Sequence, residues 1–282
     1  MGTFVPQTKI NNLINICNDA IHDMSFEIFV KNDNILYIFI YTMSFTTYYN
    51  GRLGNQIIRN LAVSLIAEKH NLYVDYCNNQ LISELGINLF SGENTFYDTI
   101  ILGDDNYFEI YNCKNLTYNL YPNNSFFQTT EIGNLLYKYL HTYKIKLNII
   151  NKNPFIERYN TNNDLYIHLR LTDMVQWNPG VNYYMNAIKS IEFENLYISS
   201  DDITHDIIKQ IINYHPTTII LDYNEILTIQ FASTCKNIIL SQGSFSALIG
   251  YLSFYSKVYY PDNEFPARYL YNINTWIKHS IN

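Results

Sequence analysis

The chain is poor in charge, and what charge it has is mostly acidic. Only 15% of its 282 residues are charged, and acidic residues outnumber basic ones 25 to 18, which gives a net charge of −7. Proteins that bind duplex nucleic acid cluster lysine and arginine to neutralise phosphates. No such basic stripe occurs in this sequence. We therefore expect no nucleic-acid partner.

Cysteine is also scarce, and the four cysteines lie far apart, at Cys17, Cys77, Cys113 and Cys235. They form no C-x-x-C pair, so neither a zinc motif nor a disulfide framework is indicated, and we expect no bound metal. Unpaired thiols are typical of a reducing compartment, which predicts a cytoplasmic protein.

Long hydrophobic runs are missing as well. The longest, residues 35–45, is interrupted by Thr42 and Ser44, and it is far shorter than the roughly 20 residues that a membrane helix needs. Polar residues occur throughout residues 1–12, which is not typical of a signal peptide. These patterns predict a soluble protein without a transmembrane segment. The hydrophobic fraction of 48% is nevertheless ample for an ordered core.

Apolar spacing predicts alternating helices and strands. In the first half we expect helices at residues 8–24 and 56–69, and strands at 26–30, 35–45 and 72–76. In the second half we expect strands at 164–169, 196–199, 218–222, 237–240 and 257–260, with helices at 203–214, 225–235 and 244–255. Strands that alternate with helices indicate an α/β fold with a parallel sheet covered on both faces.

Four polar clusters follow predicted strands, at residues 51–55, 168–173, 199–202 and 241–246. Ligands of parallel α/β sheets bind beyond the carboxyl ends of the strands, where these clusters should meet. Glycines and helix starts suit an anion, and Arg170 carries a fork of donors suited to phosphate. Taken singly, each cluster is equally compatible with an ordinary turn, a surface salt bridge or a helix cap.

Together the clusters resemble the α-1,2-fucosyltransferase family, with wider similarity to α-1,6- and protein O-fucosyltransferases. Residues 51–56 read GRLGNQ and match that family's opening G-[GR]-L-G-N-Q motif; residues 168–173, HLRLTD, are similar to its H-x-R-R-x-D motif. The stretch 197–202, YISSDD, resembles its S-D-D strand end, and 235–246 resembles its C-K-H-x-I-I…S-x-F-S segment. Phe127-Gln128 followed by Glu131 is weakly similar to a family F-Q-S-E stretch. The resemblance spans about residues 49–261.

The resemblance implies a GT-B-like architecture, in which two Rossmann-like domains with mostly parallel sheets face a cleft. Residues 1–155 would form the acceptor-side domain with an N-terminal extension, and residues 156–282 the nucleotide-sugar-binding domain. Such enzymes transfer L-fucose from GDP-fucose to a glycan hydroxyl, here galactose O2 by analogy, with inversion and without a metal or other cofactor. The partners would thus be a nucleotide sugar and a glycan acceptor.

Carried over position by position, the resemblance also implies the site. Arg170 would grip the β-phosphate and stabilise the departing GDP, while Asp173 and, as second choice, Glu225 are candidates for the catalytic base. The implied donor-binding residues are Gly51, Arg52, Gly54, Asn55, His168, Arg170, Asp201, Asp202, Ser244, Phe245 and Ser246.

The chain departs from the family pattern at two motifs and in the length of about 45 residues before Gly51, where many members of the family have only one strand. Leu171 replaces the second arginine of H-x-R-R, and Ala247 and Leu248 stand where the family often has tryptophans. Arg52, in the opposite glycine loop, could supply the missing charge. These departures leave open the transfer of another deoxy sugar, such as L-rhamnose, from a different nucleotide, and a catalytically inactive sugar-binding module.

Overall fold

The structure is a computed structural model that describes residues 25–31, 34–41, 43–46 and 51–279. The helix predicted for residues 8–24 lies outside this range. Below, residues up to 155 are called the N-terminal half and the remainder the C-terminal half.

Within its described residues, the N-terminal half contains three pairs of strands. β1 (Ser25–Lys31) and β2 (Asn34–Tyr41) are antiparallel. β3 (Ser44–Phe45) pairs in parallel with β4 (Val74–Asp75), and β5 (Thr99–Ile101) pairs in parallel with β6 (Asn119–Tyr121). The Leu120 amide donates to Ser44 Oγ at 2.7 Å, which joins the two parallel pairs. The strand predicted at residues 35–45 is thus two strands, β2 and β3.

The first helix among the described residues is α1 (Leu53–His70), the predicted long helix, which is buried along most of its length. It ends at Asn71, whose left-handed conformation (φ 51°) closes the last turn, as asparagine does more readily than most residues. Four further helices follow: α2 (Asn79–Glu84), α3 (Tyr107–Asn112), α4 (Thr130–Leu140) and α5 (Tyr143–Lys152).

The C-terminal half contains a six-stranded parallel sheet, which confirms the predicted α/β class. Its strands are β7 (Leu165–Leu169), β8 (Leu196–Ser200), β9 (Ile219–Ile220), β10 (Asn237–Ile239), β11 (Lys257–Pro261) and β12 (Ile277–His279). Their order across the sheet is β12-β11-β10-β7-β8-β9. Counted from β7, this is the 3-2-1-4-5-6 order of a Rossmann-like sheet, whose order reverses between its first and fourth strands.

Helices connect these strands: α6 (Val181–Ser190), α7 (Asp206–Tyr214), α8 (Glu225–Ala232) and α9 (Ser244–Leu252). The pattern did not predict α6 or β12. Helix α7 begins three residues later than predicted, because the Asp202 carboxylate accepts from the Thr204 amide at 2.9 Å in a turn. His205 then caps the helix by accepting from the Ile207 amide.

Burial on both faces of the sheet fixes its position in the core. The side chains of Leu165, Ile167 and Leu169 pack against α6 and α7 in one apolar cluster, while Tyr166 belongs to a second, larger cluster on the other face. That larger cluster includes buried residues of both α1 and α9. The two halves therefore share a continuous core where these helices pack together.

Candidate functional site

A cavity of about 280 Å³ opens at the carboxyl ends of β7, β8 and β9. It begins at the crevice between β7 and β10, where the strand order reverses, which is where Rossmann-like sheets bind ligands. Among the predicted donor-binding or catalytic residues, those lining it are Arg52, Gly54, His168, Arg170, Asp201, Glu225, Ser244 and Phe245. The structure thus brings residues of all four polar clusters to one place.

The starts of two helices meet at this crevice. A Cβ added to Gly54, in the first turn of α1, would lie 2.6 Å from the Phe245 backbone nitrogen in the first turn of α9. Neither helix is capped by the side chain of its N-cap residue, Arg52 or Gly243. First-turn amides lack partners inside their helix, and the helix dipole makes them attractive to anions. Two such ends together form a stronger anion site than one.

Arg170 lies beside this junction and is held by Asp173. Its Nε and Nη2 donate to the two Asp173 carboxylate oxygens at 3.1 and 2.9 Å. A Cβ at Gly243, which has a φ of +96°, would lie 3.0 Å from the Arg170 Nη1. The third guanidinium nitrogen therefore points at the turn that begins α9. Hydrogen bonding to Arg170 lowers the pKa of Asp173, and the charges of Arg170 and Arg52 lower it further.

Arg52 crosses from the N-terminal half to the C-terminal half. Its Nη1 donates to Asp201 Oδ2 at 3.0 Å, and its Nη2 donates to Thr172 Oγ1 at 3.3 Å. The same Nη2 lies 3.4 Å from Asp173 Oδ1. With 55% of its side chain exposed, Arg52 can exchange these carboxylates for another anion.

Leu171 takes no part in the cavity surface. Its side chain is only 3% exposed and packs in the smaller apolar cluster, while its amide donates to Asp201 Oδ1 at 2.6 Å. Burial alone would raise the pKa of Asp201, but hydrogen bonds from Leu171, Thr172 and Arg52 outweigh it and lower the pKa. Leucine at position 171 carries no charge. The Arg52 guanidinium, which reaches Thr172 and Asp201 from the opposite half, therefore supplies a positive charge beside this position.

His168 is a buried, neutral member of the site. Burial lowers its pKa to about 4, and its Nδ1 hydrogen-bonds Ser246 Oγ at 2.5 Å. Ser246 is fully buried and also accepts from the Ser241 amide at 3.2 Å. His168 therefore contributes hydrogen bonding rather than charge at neutral pH. Ser246 lies behind the cavity surface and holds His168 and the β10–α9 turn together.

Asn55 links the two halves beneath the cavity. Its Oδ1 accepts from Gln128 Nε2 at 2.8 Å and from the Ser244 hydroxyl. Gln128 belongs to the weakest of the five motif matches, and through this hydrogen bond it supports Asn55 of the GRLGNQ motif. Gly51, with a φ of +87°, accepts through its carbonyl from Gln56 Nε2 at 2.8 Å and so shapes the loop before α1. Both Gly51 and Asn55 lie next to the lining rather than in it.

Asp201 and Asp202, although adjacent, have different surroundings. Asp201 lines the cavity, whereas Asp202 is a half-buried turn residue whose carboxylate accepts from Thr204. Glu225 lines the cavity at the end of β9, two strands away from Arg170. Among the described residues its carboxylate forms no ion pair.

Sequence reasoning missed the wall that follows β9. Leu221, Tyr223, Asn224 and Thr228 line the cavity beside Glu225. Tyr223 is 41% exposed, and its ring packs against those of Phe155 and Phe231 at 5.7 and 5.8 Å. Their position after a predicted strand end could have identified these residues. They lack, however, the glycines and charges by which the four polar clusters were recognised.

A buried polar network supports the loops around the crevice. Gln242 is fully buried and donates through Nε2 to the carbonyls of Arg170 and Met174 at 3.0 and 2.9 Å. The Tyr271 hydroxyl bonds the carbonyls of Ser241 and Gly243 at 2.8 and 2.6 Å. These bonds fix the positions of the Arg170 loop and the α9 start relative to each other.

Within the described ranges, no group of three or more histidine, cysteine, aspartate or glutamate side chains is arranged to hold a metal ion. In the same part of the chain, no helix combines the length and apolarity needed to cross a membrane. Comparison with known proteins finds no family model that matches this chain and no curated protein that matches its sequence.

Proposed function

We propose that this protein is an inverting glycosyltransferase that uses a nucleotide-sugar donor, GDP-fucose by its motifs, and a glycan acceptor. The observation that carries the proposal is the meeting of two uncapped helix starts, at Gly54 and Phe245, beside Arg52 and Arg170. Two arginines and two helix dipoles converging on one crevice suit a diphosphate. The two halves would act as the facing domains of a GT-B-type enzyme, with a boundary near residue 155.

The order of the strands indicates how the proposed donor lies across the edge of the sheet. In Rossmann-like sheets the acidic group after the second strand meets the ribose, and that position here is held by Asp201 after β8. With the diphosphate at the β7–β10 crevice, the nucleoside extends over β8 toward β9. Neighbouring strands lie about 4.8 Å apart, so the wall at Tyr223 and Glu225 lies roughly 10 Å from β7. We therefore assign Glu225 to the nucleoside end rather than to proton transfer.

In the proposed reaction the acceptor oxygen attacks the anomeric carbon while the bond to the β-phosphate oxygen breaks. Negative charge develops on the departing diphosphate, and Arg170, Arg52 and the helix starts stabilise it, which is the task that a metal performs in other transferases. The acceptor proton passes to Asp173, the carboxylate next to Arg170.

Donor binding would itself activate Asp173 as a base. In the absence of donor its pKa is lowered by Arg170 and Arg52, which makes it a weak proton acceptor. A diphosphate that draws both guanidinium groups away removes that effect, and the pKa of Asp173 rises toward its ordinary value. The Asp173 carboxylate would thus accept a proton more readily when the donor is present.

Titration calorimetry with GDP and UDP tests the donor assignment. We expect GDP to bind more tightly than UDP, and Arg52→Ala to weaken GDP by about 1.5–3 kcal/mol because it removes the cation beside position 171. Tighter UDP binding would point to another nucleotide and another sugar, as the loss of the second arginine allows. Release of nucleotide from GDP-fucose separates an active transferase from an inactive sugar-binding module, which releases none.

A further inference from the structure

A second cavity, of about 330 Å³, opens at the carboxyl ends of β11 and β12. It lies on the same edge of the sheet as the first cavity but on the opposite side of β10. Thr130 of the N-terminal half contributes to its lining, and most of the remainder comes from the segment 260–272. The cavity therefore lies between the halves, as the first one does.

Aromatic rings form its wall. The Tyr271 ring packs edge-on against Phe265 at 5.0 Å and lies 6.0 Å from Tyr260. Tyr269 stands at the rim with 48% of its surface exposed. The Arg268 guanidinium lies over one face of the Tyr269 ring, 4.7 Å from its centroid, and Arg268 Nη2 donates to the Tyr269 hydroxyl at 2.9 Å. The other face of the ring is an apolar surface with a hydroxyl at its edge, which suits a ligand that is itself part apolar and part hydroxylated.

The charges around the second cavity balance. Lys278 pairs with Asp262 at 2.5 Å, and Arg268 pairs with Glu264. No excess cation remains in this lining for a diphosphate, in contrast with the exposed Arg52 of the first cavity. Alternating donors and acceptors of this kind match a neutral ligand with many hydroxyl groups.

Asn263 adds an unused acceptor to this lining. Its Nδ2 donates to the Trp177 carbonyl at 2.9 Å, but its Oδ1 is buried and accepts no hydrogen bond from any described residue. Leaving a buried acceptor unsatisfied costs about 1–3 kcal/mol. That oxygen has no exposed surface, so a ligand hydroxyl satisfies it only once the Asn263 side chain turns toward the cavity that it lines.

The two cavities share a structural element. The ring of Tyr271 lines the second cavity. Its hydroxyl hydrogen-bonds the carbonyls of Ser241 and Gly243, which belong to the turn that faces Arg170. Since the proposed donor extends from the crevice toward β9, its transferred sugar points the other way, toward β10 and β11. The second cavity opens on that side.

We propose that the second cavity binds a neutral saccharide and is the acceptor subsite of this enzyme. The proposal rests on the transferase function proposed above. It places part of the acceptor contact in the C-terminal half, on the segment 260–272, rather than wholly in the N-terminal half.

Titration of the full chain with lactose, a neutral disaccharide, in the presence of GDP tests this subsite. Tyr269→Ala removes an exposed ring, and Asn263→Asp replaces an amide by a carboxylate of the same shape. We expect each to raise the lactose dissociation constant by about 10-fold, equivalent to about 1.4 kcal/mol, and to change GDP affinity by less than about 2-fold. Tyr97→Ala is the matched control, because Tyr97 is 91% exposed and lines neither cavity.

The outcomes separate the two proposals. GDP binding with no lactose binding, or with lactose binding that neither variant changes, overturns the acceptor subsite and leaves the donor site standing. Absence of both GDP and lactose binding overturns both. A loss of lactose affinity confined to Tyr269→Ala and Asn263→Asp supports the subsite.

Discussion

The backbone of Gly54 touches the backbone of Phe245 so closely that a methyl group on residue 54 would lie 2.6 Å from the Phe245 nitrogen. This contact joins the first turns of α1 and α9, which belong to different halves of the chain. It explains why the first turn of α1 needs glycine at position 54, whose backbone conformation alone does not require it.

Gly54→Ala should therefore separate the two helix starts. We expect a loss of about 1–3 kcal/mol in the free energy of unfolding, because the added methyl overpacks the contact. GDP affinity should fall in parallel, since the two helix starts no longer converge. Urea denaturation and calorimetry measure the two effects. Gly180→Ala is the comparison, because its Cβ would meet no atom within 4 Å; it should strain the backbone without changing GDP affinity.

Arg170→Ala should remove most of the turnover. A donor that meets charge developing in the transition state contributes about 10²–10³ in rate. Arg170→Lys should recover only part of it, since an ammonium cannot reproduce the planar fork. Steady-state transfer assays measure both. Lys209→Ala, which removes an exposed cation paired with Asp206, should stay near wild type. Near-normal turnover in Arg170→Ala would remove this residue from the site.

Asp173→Asn distinguishes a base from a residue that only orients Arg170. If Asp173 takes the acceptor proton, turnover falls by about 10²–10⁴. GDP affinity should stay the same or increase, because the competing carboxylate is gone. Asp206→Asn, at an exposed ion pair, is the control for the same chemical change. Weakened GDP binding in Asp173→Asn, with turnover little changed at saturating donor, would assign an orienting role instead.

His168 should make the fold sensitive to mild acid. Burial lowers its pKa to about 4, whereas an unfolded histidine titrates near about 6.5. As pH falls, the unfolded state binds the proton first, so the stability contributed by neutral His168 is complete above about pH 6.5 and declines between about 6.5 and 4. The whole interval corresponds to at most about 3 kcal/mol. Urea denaturation across this pH range measures the free energy of unfolding, which should depend less steeply on pH in His168→Gln than in the wild type. An NMR titration in which His168 is protonated near pH 6.5 would contradict the prediction.

Transfer should survive chelation, because two arginines and two helix starts supply the positive charge that the leaving diphosphate requires. Assays with and without EDTA, each with and without added Mn²⁺, measure this directly. Loss of activity with EDTA and recovery with Mn²⁺ would instead assign Asp201 a metal-binding role.

The C-terminal sheet was largely predictable because its apolar strands alternate clearly with helical segments along the chain. Helix α6 was not predicted because two of its four buried residues are Tyr183 and Tyr184. Tyrosines are so frequent in this chain, at 27 copies, that they do not mark a buried face. Strand β12 escaped because two of its three residues are exposed, including Lys278, so it has no hydrophobic pattern.

The candidate site was predictable in its charged members and less so in its geometry. From the motif that contains it, Ser246 was predicted to bind the donor. In the structure it is fully buried and hydrogen-bonds His168. Spacing along the chain cannot show which hydroxyl of a helix start faces the crevice and which faces the core. Nor could it show that Asp173 grips Arg170 with both oxygens, because that depends on how the β7 loop folds back.

The reversal of strand order at β7 also has a consequence for how the protein is made. Leu165 of β7 pairs with Asn237 of β10, so the crevice exists only after about 72 further residues have been synthesised. Until then the β7 edge that β10 will cover is unpaired, and a long loop must close before the pairing is gained. Non-local parallel pairing of this kind is slow. A chain that stops before β10 would thus expose an unpaired strand edge that can associate with other chains, and it would lack half of its anion site. The site and the protection against aggregation are therefore acquired in the same late step.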